Sequence, residues 1–477
     1  MKIYDRLYKE MQFPMLISDL LFCPGLLRLR DVRMANNQFV AFPAFASTTR
    51  YEHSLGVCYL AGKCAHHLNL SETETLELML ACLYHDVGTP PFAHAMEEVL
   101  QRLYGFDHEE NLRKLIIGDS GEFDGENAQI FGGKMLRLRS ACQRAKKKGI
   151  NIDLERIANI ATGNSADPLS LLVCGKGMDL DNIDNIIRAS TAMGIININY
   201  PTSAERFAYT LAKSFVMKDG NIYYDNSSIF EITEWQRIRD IQYTAIFESI
   251  EDFAYQTMIK QAIKLFIDYP EPGLELGSFA WRMTDSVFTN DFLLKHSKSR
   301  TIMRRVIDCD PFNCLGVLYI CGDDATKFIN KHLSDIEMIV SEYLLSHISY
   351  SQRVINGILT NAVVANFYPD KRKRSLANLF LKPLNNVCDN TKTTQKNGAL
   401  LGLFTPLSKS GYITTETNGE KKRKATAFSK GDLENVIQLL SGGCLHGFAI
   451  EEYRGEPHGH SDKTEVEFSQ LGLFGLQ

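Results

Sequence analysis

The sequence predicts a mainly α-helical fold with a smaller mixed α+β region at its C-terminal end, and three observations carry that expectation. From about Tyr51 to Leu345, apolar residues recur three and four positions apart in segments separated by Gly, Pro and Asn clusters. That is helical periodicity interrupted by turn chemistry. Beyond about residue 350 the character changes: Lys371-Arg372-Lys373-Arg374 and Lys421-Lys422-Arg423-Lys424 flank a stretch rich in Asn, Thr, Gly and Ser with short apolar runs, the pattern of strands and loops. The 477 residues are 44% hydrophobic and 23% charged, which supports a large folded core and excludes disorder or a collagen-like repeat. Length allows about three units, and we expect them at residues 1–200, 201–350 (a helical extension completing the core) and 351–477.

Along the chain, Gln38-Phe39-Val40-Ala41-Phe42 is a short β-like alternation. A helix follows over Glu52 to Leu68, with Leu55, Tyr59 and Gly62 to Ala65 at helical spacing and His53 in its first turn. The next helix opens at Ser71 with Glu74 three residues later, the spacing of a capping box, and carries the stripe Leu76, Met79, Leu80, Leu83. It runs into Tyr84-His85-Asp86 and is stopped by Gly88, Pro90 and Pro91, so titratable side chains stand at a helix C-terminus. A third helix, Asp181 to Met193, places Ile183, Ile186, Ile187, Ala189 and Met193 on its apolar side; Asp179 and Asp184 read as helix cap and first-turn charge. A second alternation, Gly220-Asn221-Ile222-Tyr223-Tyr224, predicts a strand.

Several classes are disfavoured. A net charge of -5 from 52 basic and 57 acidic residues makes no global demand for nucleic acid or an anionic membrane. The 11 cysteines form no C-x-x-C pair, which argues against a zinc ribbon and a disulfide framework. The N-terminus lacks a secretory apolar core, and Met15 to Phe22 is broken by Asp19, so no membrane association is expected and a reducing cytoplasm is the expected setting.

Six of the 12 histidines fall between His53 and His108, beside residues that make chemical sense with them: Arg50-x-x-His53, His85-Asp86, His94 and His108-Glu109. Imidazole nitrogens with carboxylate oxygens suit a first-row divalent ion, and two of each leave coordination positions for water and a phosphate oxygen. Adjacent His85 and Asp86 point about 100° apart on a helix, so both reach one ion only near a terminus where the backbone bends.

Four motifs, in order, are similar to those of the HD-domain phosphohydrolases: Arg50-Tyr51-Glu52-His53-Ser54-Leu55-Gly56-Val57, Tyr84-His85-Asp86-Val87-Gly88 with Pro91-Phe92-Ala93-His94, His108-Glu109, and Gly177-Met178-Asp179-Leu180-Asp181. Within that superfamily they resemble the deoxynucleoside triphosphate triphosphohydrolase branch, over about residues 30–200. The resemblance implies an HD helical core and a divalent metal (Mn, Fe, Mg, Ni or Zn) held by His53, His85, Asp86 and Asp181. It implies a dNTP cleaved to deoxynucleoside and intact triphosphate, with His108 as general acid and Glu109 as its orienter. Substrate contacts fall on Arg50, His94, Asn182, Asn185 and Arg188, and the loop Met34-Ala35-Asn36-Asn37-Gln38 occupies the place from which relatives reach the base. Thr89 stands where the family has a second phosphate-facing histidine; Asn182, Asn185 and Ala189 replace its Lys, Tyr and Asp. The resemblance further implies a homo-oligomer, a nucleotide effector and a role in pool control or antiviral defence. Two alternatives remain: a signalling nucleotide as substrate, and a nucleotide sensor or weak single-stranded nucleic-acid binder using the two basic tetrads and Arg144, Lys146, Lys147 and Lys148.

Overall fold

In a computed structural model, the structure describes residues 1–35, 41–118, 135–164, 167–175, 177–195, 203–278, 280–322, 324–346, 363–369, 398–405, 413–417, 420–424 and 430–453. The helices that build and brace the site are α1 (Arg50–His67), α2 (Glu72–Tyr84), α3 (His94–Tyr104), α4 (His108–Ile117), α5 (Leu180–Ala192), α6 (Ile250–Asp268) and α7 (Asp285–Phe288). Near the C-terminus α8 (Ala325–Ser346, kinked at His332) and α9 (Lys430–Gly442) cover a sheet. Among the described residues no helix is long and apolar enough to cross a membrane.

Local chemistry explains the boundaries. Helix α1 starts two residues earlier than the periodicity predicts, because Thr49 caps it: its hydroxyl accepts from Glu52 N–H while the Glu52 carboxylate accepts from Thr49 N–H. The same reciprocal pair at Ser71 and Glu74 opens α2 as expected. Every residue from Leu76 to Tyr84 is buried, so α2 runs through the core and delivers His85 at its end. Substituting a cap of this kind costs about 1 kcal/mol, a small part of what the buried stripe contributes.

Helix α1 packs against both α2 and α5. The close approach to α5 requires Gly56: a Cβ there would overlap Asp184 Oδ2 and Arg188 Nη2. The alternation at Gly220 to Tyr224 becomes strand Asn221–Tyr224, hairpinned with Phe215–Lys218. Of the alternation at Gln38 to Phe42, residues 38–40 lie outside the described residues. The ten described cysteines are all free.

The C-terminal sheet draws on residues from both sides of position 350, where the composition changes. Its four antiparallel strands are, in spatial order, Ala449–Glu452, Asn313–Cys321, Gly398–Thr405 and Val364–Pro369. Strand periodicity sorts the side chains between two cores: Val317 and Tyr319 join the main helical core, while Leu318 and Ile320 join a second cluster with Ile329, Ile336 and Val340 of α8 and Val436 and Leu440 of α9. Of the two basic tetrads, Lys371 to Arg374 lies outside the described residues, and Lys421 to Lys424 is part of the strand Glu420–Lys424 rather than a loop.

Candidate active site

Helix α1 brings His53, the end of α2 brings His85 and Asp86, and the first turn of α5 brings Asp181. His53 Nε2, His85 Nε2 and an Asp181 carboxylate oxygen all lie within 4.8 Å of one another. His53 Nε2 is 2.8 Å from Asp181 Oδ1 and 3.3 Å from His85 Nε2. Asp86 Oδ2 stands 3.7 Å from His85 Nε2 and 4.0 Å from His53 Nε2, buried and without a hydrogen-bond partner. An orphaned buried carboxylate oxygen costs free energy unless something positive fills the space it faces. Two imidazole nitrogens and two carboxylates converging on that space fit a divalent cation.

The other ring nitrogens are committed, which fixes each Nε2 toward the centre. His85 Nδ1 donates to the Cys82 carbonyl at 2.7 Å, and His53 Nδ1 pairs with Asp184 Oδ1 at 2.7 Å. Asp184 is gripped in turn by Arg188, through Nε to Oδ1 at 2.9 Å and Nη2 to Oδ2 at 3.0 Å. Arg188 Nη1 donates to Asp5 Oδ2 at 2.8 Å, and Asp5 Oδ1 accepts from the backbone of Leu7 and Tyr8. Such outer partners set the orientation and basicity of metal-binding histidines. Burial pulls the His53 imidazole down, but the Asp181 and Asp184 carboxylates more than reverse this and push it up to about 10. Burial likewise opposes ionisation of Asp184, yet Arg188 and His53 hold it down at about 2. Asp184→Asn is expected to leave the chain folded and weaken Mn(II) binding roughly 10- to 100-fold, read by calorimetric titration; unchanged affinity would remove Asp184 from this role.

His53, Asp86 and Asp181 of the cluster open onto a cavity of about 560 Å³, lined also by Arg50, Thr89, His94, Glu97, His108, Glu109 and Asn185. That size suits a nucleotide-sized ligand. Arg50 Nη1 donates to Asp86 Oδ1 at 2.7 Å, and Thr89 Oγ1 donates to the same oxygen at 3.1 Å. Burial raises the Asp86 carboxyl, but Arg50, His85, His53 and His108 hold it well below the usual carboxylate range. The Thr89 hydroxyl also lies 3.4 Å from His108 Nε2, so it bridges the two sides of the site. Burial lowers the His108 pKa, opposed by Glu97 and Asp86. His94 stands exposed at the rim, its Nδ1 2.7 Å from Glu97 Oε2.

Of the residues singled out in the sequence, His53, His85, Asp86 and Asp181 converge on one point, and Arg50, His94, His108, Glu109 and Asn185 line the cavity with Met34. Two others are directed elsewhere. Arg188 is buried between Asp184 and Asp5, where both carboxylates pair its charge. Asn182 Nδ2 donates to Asp179 Oδ1 at 2.8 Å, and neither residue lines the cavity. Glu109 makes no hydrogen bond to His108. Asp179 is the α5 cap, as read, accepting from Asn182 N–H at 2.7 Å. Asp184, read as a first-turn charge, is the buried partner of His53; its spacing of four from Arg188 signals an ion pair along the helix, and only the packing buries it. Asp5 carried no comparable pattern, and Thr89 was marked only by standing where the family has a histidine. In the loop Met34 to Gln38, residues 36–38 lie outside the described residues.

Residues 50–161 match the HD domain family. The chain is 35% identical over 158 residues to a deoxynucleoside triphosphate triphosphohydrolase SAMHD1 homolog of Dictyostelium discoideum, covering 30% of this chain and 30% of that protein. It is 40% identical over 88 residues to a deoxyguanosinetriphosphate triphosphohydrolase-like protein of Neorickettsia sennetsu, 18% of this chain and 21% of the relative. An uncharacterized protein of Methanocaldococcus jannaschii is 26% identical over 266 residues, 52% of this chain and 55% of its own length. The matched segments thus span at most about half the length of these relatives. The matched segment carries His53, His85 and Asp86, and with the His-Asp cluster in place the chain is an HD-superfamily phosphohydrolase, similar over part of its length to the deoxynucleoside triphosphate triphosphohydrolases.

Proposed function

We propose that this cavity hydrolyses deoxynucleoside triphosphates to deoxynucleoside and inorganic triphosphate. The observation that carries the reading is the buried, unpartnered Oδ2 of Asp86 beside two imidazole Nε2 atoms, in a cavity that His108 lines as well. His53, His85, Asp86 and Asp181 would hold the divalent ion, which when bound polarises a phosphoryl oxygen and lowers the pKa of water. Arg50 holds Asp86 ionised and aimed. As water attacks the α-phosphorus, the P–O5′ bond breaks and His108 gives its proton to the leaving 5′ oxygen. His94 at the rim donates to phosphate oxygens, and Asn185 offers hydrogen bonds to the sugar. The names of the Dictyostelium and Neorickettsia relatives support triphosphates as substrate class.

The charge of the cavity sharpens the test. Its lining holds five carboxylates (Asp86, Glu97, Asp107, Glu109, Asp181) against one arginine, Arg50, and three histidines, of which His53 is already paired with Asp181 and Asp184 and His94 with Glu97. A triphosphate is repelled by such a lining unless divalent cations intervene. Assays with Mn(II) or Mg(II) and the four dNTPs, singly and mixed, are expected to yield nucleoside and tripolyphosphate, with both binding and turnover abolished by chelator. Nucleotide binding that survives chelation, or release of monophosphate instead of tripolyphosphate, would overturn the reading. Turnover in the mixture alone would support a nucleotide effector, which with self-association forms part of this proposal. The same scarcity of cations favours one second reading, a signalling nucleotide carrying less phosphate charge, to be offered in the same assay.

A further inference from the structure

The turn after the His85-Asp86 pair carries Thr89 and Ala93 into the cavity wall and launches α3 at His94. Its backbone takes an unusual path: Phe92 has φ 55° and Ala93 has φ 42°, and neither is glycine. A bulky L residue rarely adopts that region, and two in succession persist only where the surroundings over-determine them. Phe92 packs edge-on against Phe288 with ring centroids 6.1 Å apart, but an apolar contact does not set a backbone dihedral.

Two buried charged side chains bond directly to the backbone of this turn. Asp285, the first residue of α7, accepts from Phe92 N–H through Oδ1 at 2.9 Å and from Arg33 N–H through Oδ2 at 3.0 Å. Arg28 Nη2 donates to the carbonyls of Val87 at 2.9 Å and Thr89 at 2.6 Å, while its Nη1 donates to those of Trp281 at 3.2 Å and Met283 at 3.0 Å. All of these partners are backbone atoms. The segment from Trp281 to Asp285 is therefore tied to the start of the turn through Arg28 and to its end directly. Asp285 also fixes the residue before Met34, which lines the catalytic cavity. Neither Arg28 nor Asp285 lines that cavity itself.

We propose that Asp285, acting with Arg28, is a positioning residue of the hydrolytic site: it clamps the Phe92–Ala93 step and so sets His94 and Thr89 at the substrate. The proposal rests on the hydrolytic reading above. Asp285→Asn keeps the shape and one acceptor, and turns an amide NH₂ against the other N–H. The variant is expected to bind Mn(II) with wild-type stoichiometry and to lose roughly 10- to 100-fold in kcat, with KM within about threefold, since small displacements of reacting groups cost that much. Glu77→Gln, a buried carboxylate on α2 that holds Asp153 N–H and Arg156, controls for general loss of stability and is expected to keep wild-type kcat. The second readout is independent of turnover: the imidazole NMR signals of His94 in the magnesium-loaded protein are expected to move in Asp285→Asn and not in Glu77→Gln. A wild-type protein inactive on every nucleotide would fail the hydrolytic reading and leave the NMR comparison to decide the clamp. Unmoved His94 signals, a kcat within twofold of wild type, or a loss of kcat matched by loss of bound Mn(II) would overturn the proposal.

Discussion

Loss of bound divalent metal together with turnover is the expected result of His85→Ala combined with Asp86→Ala. His85 presents Nε2 because its Nδ1 is tied to the Cys82 carbonyl, and Asp86 presents Oδ2 because Arg50 and Thr89 occupy Oδ1. The double substitution removes half of the converging donors, leaving His53 and Asp181 hydrogen-bonded to each other. An ion that polarises a phosphoryl oxygen supplies several kcal/mol of transition-state stabilisation, so a fall of at least about 10³-fold in kcat is expected. Metal content by elemental analysis and tripolyphosphate release measured on one preparation check it. Stability is expected to change less than activity, because the apolar residues of α2 from Leu76 to Leu83 remain buried. Full turnover, or unchanged metal content, would show that the chemistry lies elsewhere.

His108→Ala separates acid catalysis from metal binding. The ring sits across Thr89 from the cluster, so its removal is expected to leave metal content intact and reduce kcat by roughly 10²- to 10⁴-fold, the usual share of a positioned general acid. The pH dependence gives the sharper signature. Burial lowers the His108 pKa below its ordinary 6.5 in the free protein. An acid must be protonated to act, so kcat/KM should fall as pH rises through a value under 6.5. Bound triphosphate brings negative charge toward the ring and favours the imidazolium. The matching limb in kcat should therefore lie at higher pH than the limb in kcat/KM, and both limbs should vanish in His108→Ala. A descending limb that survives the substitution would assign the proton to another group.

Much of the helical core is readable locally. The cap at Ser71 with Glu74, the stripe Leu76 to Leu83 and the Gly-Pro stop are enough to put His85 and Asp86 at a helix end. A missed cap, Thr49 with Glu52, shows the limit of reading periodicity alone: the apolar stripe begins later than the hydrogen bonds do. Similarly, strand Asn313–Cys321 looks like part of a helical stretch, and becomes the centre of a sheet only because Gly398–Thr405 and Ala449–Glu452 flank it. Strand pairing is a non-local choice, invisible in any window of a dozen residues.

Donor types, their order and the helix ends that carry them are legible in the residues alone, since caps, stops and periodicity act within a few positions. Tertiary structure decided which charged group answers which. Asp184 meets His53 across 131 positions, and Arg188 turns inward to Asp5 across 183, away from the cavity the resemblance assigned it. Gly56 makes that approach possible, and Arg28 bonds the start of the turn at Val87 and Thr89 while Asp285 bonds its end at Phe92. The reason is energetic: a buried charge must be paired, and which partner is within reach depends on how whole helices pack rather than on the residues beside it.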